Sequence, residues 1–225
     1  MKTGEFNLKR IVRGVAAVTV SALLISCASA PQEPESNEFR LTLLHIDDHH
    51  SNLDAKRQTL VWGEQEWQVE AGGFPRVGAQ IKKLRAANEN VLTLHAGDAL
   101  TGSLYFTLFG SEADARMMNN VCFDAFTIGN HEFDTGDAGL AEFLQALGTE
   151  SCPTVKLGAN IKPKVGESPL TPNREWQMFQ PYTIVERGGE EIAIIGLDIA
   201  SKTKKSSQPD ESTEFLDELE TARKY

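Results

Sequence analysis

Three stretches of the sequence each end an apolar run in side chains suited to holding a metal ion. Leu41-Thr42-Leu43-Leu44-His45-Ile46 runs into Asp47, Asp48, His49 and His50; Val91-Leu92-Thr93-Leu94 runs into His95, Gly97 and Asp98; Phe123 to Ile128 runs into Gly129-Asn130-His131-Glu132-Phe133-Asp134. Carboxylates and imidazoles bind divalent cations of hard and borderline character, so metal-assisted chemistry is implied. His131 and Asp134 stand three residues apart. A helical turn would place them on one face, where the carboxylate orients the imidazole and favours its charged form. Taken singly these signals are weak, because a Gly-Asp after a strand is usually a turn and a stray histidine is usually surface or core. Three such stretches in order, each behind a strand, reverse the odds.

Bringing them together requires a parallel sheet, since open α/β sheets collect ligands at the carboxyl ends of their strands. The intervening sequence supplies the crossovers. Gly72-Gly73 leads into a helix over Phe74 to Ala87, with Val77, Ile81 and Leu84 at helical spacing; a second spans Ser111 to Asn120; a third spans Ala138 to Leu147, with Leu140, Phe143, Leu144 and Leu147 forming a buried stripe. Alternating residues from Leu60 to Val69 around Gly63 predict a small hairpin. Thr101 to Gly110 reads as an apolar loop, forming core or a pocket wall. A strand over Thr154 to Ile161 precedes an irregular insert from Lys162 to Asn173. Gly188-Gly189 joins Tyr182 to Val185 and Ile192 to Leu197 as a hairpin. Ser201 to Thr213 reads as loop and Glu214 to Lys224 as the start of a helix. No internal repeat, P-loop or dinucleotide fingerprint is present.

The three motifs in order resemble the calcineurin-like metallophosphoesterases, and among them the bacterial 5'-nucleotidase family that includes UDP-sugar hydrolases and NAD nucleotidases. The resemblance covers about Phe39 to the end and implies an α/β/β/α layered sandwich, represented here by its amino-terminal portion. It also implies two divalent cations hydrolysing a phosphoester. Such a pair, about 3.5–4 Å apart, generates a nucleophile and neutralises phosphoryl oxygens. By resemblance Asp48 and His50 bind one metal, Asp98 bridges both and Asn130 binds the second, while His131 and Asp134 form a catalytic dyad that steadies phosphoryl charge or protonates the leaving oxygen. Zn, Mn, Co and Fe all suit these ligands. Tyr105 to Phe109 after the Gly-Asp resembles the NAD nucleotidase branch.

Some residues depart from the pattern. Asp47 and Ser51 replace the family's usual Asn and Gly, and neither is read as a ligand. His45 and His95 are expected to face the core, His49 to point away from Asp48 and His50, and Glu132 to be structural. The family adds further histidines later in the domain and a carboxy-terminal nucleoside-binding domain, whereas no histidine follows His131. The reading is therefore a metal-dependent hydrolase removing phosphate from nucleotides or cleaving nucleotide pyrophosphates such as NAD or UDP-sugars. The alternatives are a truncated, non-catalytic lipoprotein fragment, or one half of a split enzyme completed by a second polypeptide.

Residues 1–27 read as a signal peptide of lipoprotein type: Lys2, Lys9, Arg10 and Arg13 precede the apolar run Gly14 to Ile25, and Leu24-Ile25-Ser26-Cys27 resembles a lipidation box. The protein is then exported to the periplasm or cell envelope and anchored to a membrane through Cys27. An ordinary signal cleaved after Ala30 is the alternative. Residues 28–38 are a polar, proline-containing linker and 39–225 the metallophosphoesterase domain. Without residues 1–26 the chain has 18 basic and 31 acidic side chains, a net of −13. That charge argues against a nucleic-acid partner and for bound cations as the means of attracting an anionic substrate. Cys122 and Cys152 each precede a strand, so neighbouring parallel strands would bring them close enough to bridge; two buried thiols are the alternative.

Overall fold

In the computed structural model the described residues are 38–225; the expected signal peptide, Cys27 and most of the expected linker lie outside them. Four short strands, β1 (Thr42–Ile46), β4 (Val91–His95), β5 (Ala125–Thr127) and β6 (Val155–Leu157), form a parallel sheet in the order β1-β4-β5-β6. β4 is covered on both faces, as its near-continuous apolar run requires. β1 forms the edge, and its alternate residues Leu43 and His45 are exposed. The expectation that His45 faces the core is thereby corrected: on an edge strand its side of the pleat is left open. His95, one strand further in, is buried.

Three helices make the crossovers. α1 (Phe74–Ala87) follows the hairpin that turns at Gly63, α3 (Glu112–Val121) leads into β5, and α4 (Gly136–Ala146) leads towards β6. Leu140, Phe143 and Leu144 of α4 are buried, and Phe143 meets Phe126 of β5 edge to face at 5.4 Å between centroids. Cys122, in a left-handed conformation at the end of α3, is bridged to Cys152 with a Cα–Cα distance of 5.3 Å. Of the two cysteine readings, the bridge is the one observed.

Three antiparallel pairs take up the other strands of the described residues: β2 (Ala55–Trp62) with β3 (Gln65–Gly72), β7 (Ile161–Pro163) with β10 (Thr213–Phe215), and β8 (Tyr182–Arg187) with β9 (Glu190–Ile195). The first is longer than the predicted hairpin but turns at Gly63 as expected. Arg187 fastens the third to the parallel sheet by donating to Val91 O at 2.7 Å and to Asp124 Oδ1 at 2.5 Å. Three segments differ from the sequence reading. The apolar stretch after Thr101 contains a helix, α2 (Leu104–Phe109), capped by Ser103. Five of its six residues are apolar, so no helical periodicity marks it. The strand predicted over Thr154 to Ile161 is divided at Gly158, its second half joining β10 instead of β5. The stretch read as loop holds α5 (Ala200–Ser206), and β10 occupies the start of the predicted last helix, which is α6 (Glu218–Lys224). α5 buries only Ala200 and Thr203, too little for an apolar stripe.

Candidate metal centre

The loops leaving β1 and β4 are joined backbone to backbone. Asp48 N donates to Gly97 O at 3.0 Å, His50 N to Asp98 O at 3.2 Å and Ser51 N to Ala99 O at 2.9 Å. The loop leaving β5 is brought against them by two glycines. A Cβ on Gly97, which has φ 98, would fall 2.9 Å from Gly129 Cα, and a Cβ on Gly129 would fall 2.5 Å from Asp98 Oδ1. Only glycine allows this approach, so the two motifs fit together as backbone surfaces.

Their side chains converge. His50, Asp98 and His131 each present one ligand atom, all within 4.8 Å of one another. His50 Nδ1 is 3.2 Å from Leu100 O, so it carries the proton and Nε2 keeps a lone pair for a cation. The His50 and His131 rings meet edge to face at 4.8 Å. Asp98 is nearly buried, and its Oδ1 accepts the backbone N–H of His131 at 2.9 Å. His131 Nδ1 is 2.7 Å from Asp134 Oδ2, which leaves Nε2 to face the site. The expected pairing of His131 and Asp134 is therefore present, though on a 3-10 turn (His131–Phe133) and not an α-helix. Asn130 is buried with Nδ2 3.3 Å from Ser207 Oγ, so its amide oxygen remains available. Asp48 is exposed on its loop and is not one of the three clustered residues. The His50 imidazole nitrogen, the Asp98 carboxylate and the Asn130 amide oxygen form a donor set that fits a borderline divalent cation, with His131 Nε2 beside it.

A sequence model for calcineurin-like phosphoesterase matches residues 41–216. The chain belongs to that family. It is 41% identical over 219 residues to a probable 5'-nucleotidase of Treponema pallidum, covering 96% of this chain and 35% of the relative. It is 44% identical over 202 residues to the NAD 5'-nucleotidase of Haemophilus influenzae, covering 89% and 32%. Among solved structures, the Haemophilus influenzae NAD nucleotidase superposes with a TM-score of 0.73 at 46% identity, covering 81% of this chain and 34% of that one. The 5'-nucleotidase precursor of Thermus thermophilus gives 0.69 at 34% identity, covering 83% and 34%. The chain thus spans about a third of the length of these relatives.

Two acids of this calcineurin-like domain matter although motif reading assigned them no chemistry. Glu132 is fully buried; Oε2 accepts from Asp98 N at 3.0 Å and Gly129 N at 2.7 Å, and Oε1 from Ala99 N at 2.7 Å and Leu100 N at 3.3 Å. It ties the second motif to the third. Burial, together with the nearby Asp98 carboxylate, pushes it up to about 7 against the pull of those N–H donors. Its structural role was expected; its position across both turns was not, because local sequence does not show which backbone it meets.

Asp198 follows β9 and is also buried. Oδ2 accepts from Thr203 Oγ1 at 2.6 Å, while Oδ1 has no hydrogen-bond partner among the described residues. Burial leads a rise from 3.8 to about 6. The folded protein therefore holds this proton more tightly than the unfolded chain, and the contribution is complete below about pH 4 and lost as pH rises through 6. Asp198→Asn should remove that slope and raise stability at pH 7.5 by on the order of 2 kcal/mol. Urea unfolding of both proteins at pH 4 and 7.5 measures the difference.

Proposed function

We propose that this chain is the metal-binding portion of a phosphoester hydrolase of the 5'-nucleotidase type, acting on nucleotides or on nucleotide pyrophosphates such as NAD or UDP-sugars. The observation that carries this is the convergence of His50, Asp98 and His131 beside the His131–Asp134 pair. Asp48 and His50 would hold one divalent cation, Asp98 would bridge to a second, and Asn130 would bind that second ion. The cations supply a nucleophile at neutral pH and neutralise phosphoryl charge. Asp134 holds the imidazole of His131 so that Nε2 faces the substrate, where it donates a hydrogen bond to the developing charge or a proton to the leaving oxygen. The basic amino-terminal run and Cys27 support export and lipid anchorage in the cell envelope.

The test is hydrolysis of AMP, NAD and a generic phosphoester by the purified protein with Mn²⁺, Zn²⁺ or Co²⁺. His131→Ala should lower turnover by about 10²–10⁴-fold and leave Mn²⁺ affinity within a few fold. Turnover unchanged in that variant would remove His131 from the chemistry, and a parallel loss of metal would make it a ligand. A second reading has its own support. Leu43 on the edge strand and Leu104 and Leu108 on α2 are 57%, 74% and 70% exposed. Exposed apolar faces of this kind favour a further polypeptide, supplying the remaining ligands and the substrate-binding part. Metal-dependent turnover by this chain alone would argue against that requirement.

A further inference from the structure

His49 sits between two proposed ligands and faces the opposite way. Its ring lies against Phe74 at 4.8 Å between centroids; Nδ1 is 2.9 Å from His95 Nε2, and Nε2 is 3.0 Å from Asp114 Oδ1. Ser51 Oγ donates to the other carboxylate oxygen of Asp114 at 2.7 Å. The direction of each bond is determined. Gly97 N–H donates to His95 Nδ1 at 3.2 Å, so that nitrogen holds a lone pair and the neutral ring carries its proton on Nε2. His95 therefore donates to His49 Nδ1, and His49 donates from Nε2 to Asp114. Burial, reinforced by the neighbouring His49 and His45, keeps His95 well below the ordinary histidine range, consistent with a neutral ring.

We propose that His95, His49 and Asp114 form a directional relay of positioning residues that holds the metal-binding loops in their working shape. The proposal rests on the metal-centre reading above. Asp48, His50 and Ser51 have φ of 45°, 45° and 52°, a left-handed conformation that is unfavourable for non-glycine residues and persists only where surrounding contacts impose it. Those contacts alternate along the loop. The side chains of His49 and Ser51 are drawn inward onto Asp114, so His50 is turned outward to the cluster and Asp48 to the loop surface. Asp114 is a fixed anchor, fully buried in the first turn of α3, where the helix amino terminus favours its charge. At its other end the relay reaches the backbone of Gly97, next to Asp98. One chain of hydrogen bonds thereby sets both ligand-bearing turns.

The experiment titrates Mn²⁺ into wild type, His49→Phe, Asp114→Leu and Asp114→Asn, each shown folded by near-ultraviolet circular dichroism. His49→Phe and Asp114→Leu should bind at least about tenfold more weakly. Asp114→Asn, which keeps an acceptor for His49, should stay within a few fold of wild type. Equal affinity in all four proteins overturns the positioning role while leaving the metal centre intact. No binding by wild type removes the centre and the role together. Should the variants not fold, ring ¹⁵N spectra of wild type decide: both His95 and His49 should be Nε2–H tautomers, and an Nδ1–H tautomer at His49 overturns the relay.

Discussion

Glu132→Ala should remove on the order of 4 kcal/mol of stability, because it leaves several buried backbone N–H groups with no acceptor at about 1–3 kcal/mol each. Part of that loss is offset, since a buried carboxylate beside Asp98 is itself costly. Set against the roughly 5–15 kcal/mol of a typical domain, the change approaches global unfolding. Glu132→Gln should fall between, keeping one acceptor oxygen while turning an amide N–H₂ towards donors. Chemical denaturation of the metal-free proteins at neutral pH gives both numbers. A Glu132→Ala protein within about 1 kcal/mol of wild type would mean that water replaces the carboxylate, and that the Gly97–Gly129 contact and the His131 N–H to Asp98 bond suffice to join the two motifs.

How much of this was legible in the sequence follows from the range over which each interaction acts. Strands β1, β4 and β5, helix α1 and the turns at Gly63 and Gly188-Gly189 depend on local periodicity and backbone preference, and they stand close to where the pattern places them. The pairing of His131 with Asp134 is also local, three residues apart. By contrast, the Asp114 carboxylate meets His49 across 65 positions, and the Asp198 backbone is held by Asn160 across 38. Neither acid lies in a motif. Spacing cannot reveal such partners, because nothing in a short window distinguishes an acid at a helix start from an ordinary first-turn carboxylate. α5 and β10 were missed for a related reason: β10 is held by three residues of β7 some fifty positions away, and no local apolar pattern marks it.

Asp98→Asn is the substitution expected to affect chemistry most. The asparagine oxygen can still accept the His131 N–H that Asp98 Oδ1 receives at 2.9 Å, and the side chain keeps its size between the two glycine turns. What it loses is the negative charge, the property a bridging ligand needs to hold two cations close together. Metal-free stability should change little or rise, because the like charge facing Glu132 is gone. Bound metal, measured by elemental analysis after dialysis, should fall, and metal-dependent turnover should drop at least about a thousandfold, roughly 4 kcal/mol of transition-state stabilisation. Turnover within about tenfold of wild type would exclude Asp98 as a bridge and leave His50 and Asn130 as separate anchors. Because the fold is expected to survive in this variant, a loss of metal can be attributed to the missing charge and not to a disturbed loop, the distinction that Glu132→Ala by itself cannot make.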